Sequence, residues 1–236
     1  MYFRGVRLLT LLLPILCSSV LACSKPADEP ARASAPAPAG AAEPKPSPDL
    51  PRIVVLGDSL TAGLGLAETQ SFPSILQEYV HKAGYQFRVV NAGVSGDTSA
   101  GGVRRADWAL DGDVRVLVLA LGANDGLRGL PVRELQANLT TIVKRARDRK
   151  AAVILAGMEA PPNYGQEYAT AFRNAFRDVA RNEDVVFIPF LLDKVAGLSE
   201  MNQGDGIHPN ERGARIIADT VWSALRPLLE RMTTSS

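Results

Sequence analysis

Cysteine is almost missing from this chain. Its 236 residues include two, Cys17 and Cys23, both close to the N-terminus. Everything after Cys23 therefore lacks a disulfide, a thiolate nucleophile and a cysteine metal site. Histidine is equally scarce, with only His81 and His208. No second histidine or carboxylate cluster is spaced to complete a metal site around Asp205 and His208, so no metal is expected. No long hydrophobic run occurs either. The longest near the N-terminus, residues 8–21, is interrupted by Thr10, Pro14, Ser18 and Ser19, and falls short of the roughly 20 apolar residues of a membrane span. A dominant charge is absent too, with 26 basic residues against 25 acidic. Removing residues 1–51 leaves 21 of each sign without a Lys/Arg cluster. That balance offers no electrostatic footprint for a nucleic acid.

What the N-terminal region does contain is export information. Arg4 and Arg7 precede the short apolar run, and small residues follow it, the pattern of a secretory signal peptide over residues 1–22. Val20-Leu21-Ala22-Cys23 resembles the lipobox of bacterial lipoproteins, in which cleavage leaves an acylated N-terminal cysteine, here Cys23. An ordinary signal peptide that happens to contain cysteine is the other reading. Eight of the 16 prolines lie between Ser24 and Pro51. Such a stretch cannot bury enough surface to repay its ordering entropy, so residues 23–51 are expected to be a disordered tether. Fully extended at roughly 3.1 Å per residue, it would reach up to about 80 Å. The expectation is an exported, periplasmic or cell-envelope protein, anchored to a membrane through Cys23. Residues 52–232 form the folded domain.

Within that domain apolar runs alternate with helical patterns. Residues 52–56 read as a buried strand ending at Gly57, and 114–121 as another ending at Gly122. Residues 87–90, 152–156 and 185–190 complete five strands. Ser71-Phe72-Pro73 opens a helix that Gly84 stops, with Ser71 as its expected cap. Further helices are expected over about 98–110, 131–150 and 166–182, and from Asn210 onward. This alternation predicts a three-layer α/β/α, flavodoxin-like fold with a five-stranded parallel sheet. Sites in such sheets form beyond the carboxyl ends of the strands.

Four segments lie at those ends: Gly57-Asp58-Ser59-Leu60, Asn91-Ala92-Gly93-Val94-Ser95-Gly96-Asp97-Thr98, Gly122-Ala123-Asn124-Asp125 and Asp205-Gly206-Ile207-His208-Pro209. Each alone reads as a turn or a cap. Together they supply the parts of ester hydrolysis. A serine hydroxyl needs a base to accept its proton. His208 qualifies, whereas His81 falls inside a helix far from any strand end. Asp205, three residues before His208, is placed to orient it. The Ser59 and Gly96 amides and the Asn124 side chain are candidate donors to a developing oxyanion. The order differs from the Gly-x-Ser-x-Gly elbow of other hydrolases, because the serine comes early and the acid–base pair late.

These segments resemble the conserved blocks of the SGNH, or GDSL, hydrolases, most of all the bacterial thioesterase I / lysophospholipase L1 / arylesterase group. Ser95-Gly96-Asp97-Thr98-Ser99, Pro162-Asn163-Tyr164-Gly165 and Asp205-Gly206-Ile207-His208-Pro209-Asn210 support the likeness, which spans residues 52–227. The resemblance implies catalytic Ser59, Asp205 and His208, an oxyanion hole of Ser59, Gly96 and Asn124, and no cofactor. The implied substrate is a small acyl ester or lysolipid. A carbohydrate O-acetyl esterase is the alternative; sugar sites favour aromatic platforms, and both tryptophans, Trp108 and Trp222, fall in helices where a core role is expected. A non-enzymatic binding module would have lost one catalytic group, and none is missing. A dinucleotide site, suggested only by Gly63 and Gly65, lacks its third glycine and its acidic partner.

Overall fold

The computed structural model describes residues 50–234; the leader, Cys23 and nearly all of the tether lie outside the described residues. Five strands form one parallel sheet, β1 (Arg52–Gly57), β2 (Arg88–Gly93), β3 (Val114–Ala120), β4 (Ala152–Ala156) and β5 (Val186–Ile188), in the order β2-β1-β3-β4-β5. Among the described residues seven α-helices accompany them: α1 (Ser59–Ala62), α2 (Phe72–Lys82), α3 (Ser99–Ala109), α4 (Ala123–Leu127), α5 (Val132–Asp148), α6 (Gly165–Asn182) and α7 (Glu211–Thr234). α2 packs on α7, and α3 and α6 both pack on α5, which covers both faces of the sheet. The predicted architecture is the one observed.

The central strands are buried on both faces, so they read as unbroken apolar runs. Ile53, Val54, Val55 and Leu56 of β1 and Val116–Leu119 of β3 are fully buried. The chain moves from β1 outward to β2, then crosses back to place β3 on the other side of β1. That reversal opens a crevice between the ends of β1 and β3, the position where ligands bind in open α/β sheets.

Several local expectations are corrected. β2 runs on to Gly93, because its pairing with β1 continues to Gly57 opposite Gly93. β5 is only three residues long, as the edge strand pairs with β4 at three positions. Ser71 occupies the cap position of α2 but makes no side-chain cap bond; its hydroxyl donates to the Glu68 carbonyl at 2.9 Å. Asn210 does cap α7, its Oδ1 accepting from the Arg212 and Gly213 amides at 3.0 and 3.1 Å. Trp108 is not a core residue. It is 71% exposed, since the buried face of α3 is made of Gly101, Gly102, Ala106 and Ala109, too small to need it. Trp222 is half-buried, edge-on to Tyr79 and Tyr85.

Candidate active site

The sharp exit from β1 builds the first part of the site. Asp58 directly follows the strand and caps the single turn α1, its Oδ1 accepting from the Leu60 amide at 3.0 Å. Ser59 therefore opens a helical turn with its own amide unpaired within that turn. α1 lies directly against the end of β2. A Cβ on Gly93 would overlap the Ala62 backbone nitrogen, so only glycine permits the approach.

The β2–α3 segment comes next. Val94 N–H donates to the Gly57 carbonyl and Asp97 N–H to the Val94 carbonyl, both at 3.1 Å. The tight turn this closes sets Gly96 at φ +79°, a conformation glycine adopts freely and other residues avoid. Beyond β3, Asn124 lies in the short α4. Its Nδ2 donates to Asp58 Oδ2 at 3.4 Å, a long bond that aims the amide toward the serine turn. Its neighbour Asp125 is buried and accepts from the Ser99 amide at 2.8 Å and the Ser99 hydroxyl at 2.5 Å, tying α4 to the start of α3.

The last segment carries Asp205 and His208. Asp205 Oδ1 accepts from the Ile207 and His208 amides at 2.9 and 3.0 Å, and its Oδ2 lies 2.6 Å from His208 Nδ1. His208 Nε2 lies 3.0 Å from Ser59 Oγ. Ser59 near the start of the domain is thus aligned with Asp205 and His208, 146 and 149 residues further along the chain. The loop is held by Gln203, whose Nε2 donates to the Leu64 and Pro209 carbonyls at 2.7 and 2.9 Å. His81 is exposed on α2, away from this relay.

Two carboxylates of the site are tuned in opposite directions. Burial raises Asp58 from the ordinary 3.8 to about 6, against the opposing pull of the Leu60 amide and Asn124. The backbone and side-chain hydrogen bonds from His208, helped by the Ile207 amide, hold Asp205 well below the usual carboxylate range. Asp205 is thus a fixed anion facing the imidazole.

Ser59, Ser95, Gly96, Asn124 and His208 face a cavity of about 350 Å³, whose other walls include Leu64, Leu127, Met158, Pro161, Leu192 and Ile207. Glu159, which pairs with Arg173 at 2.6 Å, is its one acidic wall. All five residues picked from the sequence, Ser59, Gly96, Asn124, Asp205 and His208, border this space or the relay. Asp58, Gln203 and Glu159 were not picked as site residues, because what gives them a place here is a partner far along the chain: Asn124 for Asp58, Leu64 for Gln203 and Arg173 for Glu159.

A parallel α/β/α sheet with a buried serine against a histidine and aspartate at its carboxyl edge defines a serine hydrolase. Residues 55–216 match the GDSL-like Lipase/Acylhydrolase family, and the chain belongs to that family. It is 43% identical over 178 residues to Esterase TesA of Pseudomonas aeruginosa, covering 75% of this chain and 89% of that protein. It is 34% identical over 178 residues to Thioesterase 1/protease 1/lysophospholipase L1 of Escherichia coli K12, covering 75% and 84%. The crystal structure of psychrotrophic esterase EstA from Pseudoalteromonas sp., inhibited by monoethylphosphonate, matches with a TM-score of 0.72 at 33% identity, covering 76% of this chain and 98% of that one. The chain is a serine esterase that hydrolyses ester bonds.

Proposed function

We propose that the reaction runs through an acyl-enzyme on Ser59. His208 Nε2 takes the proton from Ser59 Oγ, which attacks the acyl carbonyl. The resulting oxyanion accepts from the Ser59 and Gly96 amides and Asn124 Nδ2. The intermediate collapses, the C–O or C–S bond to the leaving group breaks, and His208 returns the proton to it. Water then attacks the acyl-enzyme with His208 again as base, releasing the acid and free Ser59. Asp205 stays ionised throughout and stabilises the imidazolium. One observation carries this reading: Ser59 Oγ, His208 and Asp205 stand in hydrogen-bond sequence at 3.0 and 2.6 Å, with Ser59 and His208 on the cavity wall.

The cavity also speaks to substrate. Among the described residues its lining includes no Trp, Tyr or Phe, so these walls offer no stacking platform for a sugar. Leucine, methionine, proline and isoleucine walls suit a hydrocarbon acyl chain, in arylesters, thioesters or lysolipids. For the chain as a whole we propose export by residues 1–22, acylation of Cys23, a tether over 23–51 and the catalytic domain over 52–232, which places the enzyme at the cell envelope. The lipobox-like Val20-Leu21-Ala22-Cys23 and the proline-rich stretch after it support this.

Steady-state kinetics of Ser59→Ala and His208→Ala on a short p-nitrophenyl ester tests the mechanism. Each should lose turnover by about 10³-fold or more, as expected when one member of a cooperating relay is removed. Ser59→Ala retaining wild-type turnover would refute the assignment.

A further inference from the structure

The three oxyanion donors proposed above sit on different chain segments. The Ser59 amide follows β1, and the Gly96 amide lies in the β2–α3 turn. The ladder joining β1 to β2 ends at Gly57 opposite Gly93, with one further bond from Val94 N–H to the Gly57 carbonyl. Arg105, in the second turn of α3, joins the two segments from below. Its Nη2 donates to the Gly57 carbonyl and its Nη1 to the Ala92 carbonyl, both at 2.6 Å, while its Nε donates to Asp97 Oδ2 at 2.7 Å.

We propose that Arg105 is a positioning residue for the oxyanion hole, fixing the separation of the Ser59 and Gly96 amides. The Gly57 carbonyl lies two residues before the nucleophile, and Asp97 directly follows Gly96. A planar guanidinium presents its donors in a rigid fork, so holding three acceptors at once fixes the strand ends and the turn relative to one another. The charge is nearly enclosed, with side-chain exposures of 17% for Arg105 and 11% for Asp97, and Asp97 balances it. Charge-assisted bonds in such surroundings are short and strong. Room for the carboxylate is specific: a Cβ on Gly101 would overlap Asp97 Oδ1. The surface pair Arg115–Asp113, by contrast, joins residues two apart and more than half exposed. Arg105 does not border the cavity, so it acts through the amides it holds and not on the substrate.

The proposal rests on the donor assignment, and one experiment separates the two. The variants are Arg105→Lys, which keeps the charge and loses the fork, Asp97→Asn, which weakens the Nε bond, and Asn124→Ala as a direct deletion of a donor. Each is made in the full chain and assayed on a short p-nitrophenyl ester, with circular dichroism to confirm folding. Arg105→Lys should lower kcat by about 10- to 100-fold with KM within about twofold of wild type, as expected when reacting groups are misplaced by an ångström or so. Asp97→Asn should lower kcat in the same way, and the double variant little further, because the two side chains act as a unit. Added methylguanidinium should restore part of the turnover of Arg105→Ala. Wild-type kcat in a folded Arg105→Lys, or lost stability with kcat intact, overturns the clamp while a slow Asn124→Ala leaves the donors standing. Wild-type kcat in Asn124→Ala overturns the donor assignment itself. Should Arg105→Lys not fold, the kcat and KM of Asp97→Asn decide by the same criteria.

Discussion

Asn124 gives Asp58 a long hydrogen bond of 3.4 Å, so its amide is aimed but not used up in the resting enzyme. In the proposed mechanism, replacing it with alanine removes a donor to a charge that exists only in the transition state. Turnover should fall by roughly 10²–10³, with KM changing far less; a loss confined to KM would make Asn124 a substrate-positioning group instead. Asp58 and Asp205 make a second prediction, in pH. Asp58 is raised in the fold, so the folded chain holds that proton more tightly than the unfolded one. Its contribution to stability is present in full below the ordinary value of 3.8 and is lost as pH rises through about 6. Asp205 runs the other way, stabilising above the ordinary value and losing its effect as pH falls toward its depressed pKa. Denaturant unfolding of Asp58→Asn from pH 4 to 7 should show the variant gaining on wild type by on the order of 3 kcal/mol across that range. A constant difference between the two would contradict the raised pKa. Ser59, Asp205 and His208 were legible because chemistry restricts them to a few residue types at strand ends. Asp58 was not, since its significance lies in burial beneath Asn124, 66 residues away.

At the level of elements, the sheet was readable and the short helices were not. β1 and β3 announce themselves as continuous apolar runs because both faces are covered. α1 and α4, four and five residues long, are too short to show a helical period, although they carry Ser59 and Asn124. The extent of β2 is dictated by its partner β1, and sequence patterning stops at Val90 where the side chains turn small and polar. The tight seat of α1 on β2 yields a prediction. Gly93→Ala would drive a methyl into the Ala62 backbone and must push α1 away. Overpacking of this kind costs about 1–3 kcal/mol, and here it also displaces the nucleophile. The variant should unfold at lower urea concentration and lose turnover. An unchanged midpoint would mean that α1 is not seated as described.

For the molecule as a whole, 21 basic and 21 acidic residues follow residue 51, so the proposed membrane association rests on Cys23 and not on surface charge. If Cys23 is acylated, Cys23→Ser should move the enzyme from the membrane to the soluble fraction or stall its processing, with specific activity retained. Metabolic labelling with a fatty acid, followed by fractionation, reads both; a soluble, unlabelled wild type would rule out the anchor. The overall fold was legible because strand–helix alternation leaves few topologies. The cavity's shape was not, since its walls come from segments after all five strands, whose meeting no local pattern records. The proposed mechanism rests on a single activated nucleophile, Ser59. Treating the full chain with a fluorophosphonate and mapping the adduct by peptide mass spectrometry checks this. One adduct per chain on Ser59, absent in Ser59→Ala and slow to form in His208→Ala, is the predicted result; an adduct on any other serine, or undiminished labelling of Ser59→Ala, would contradict it.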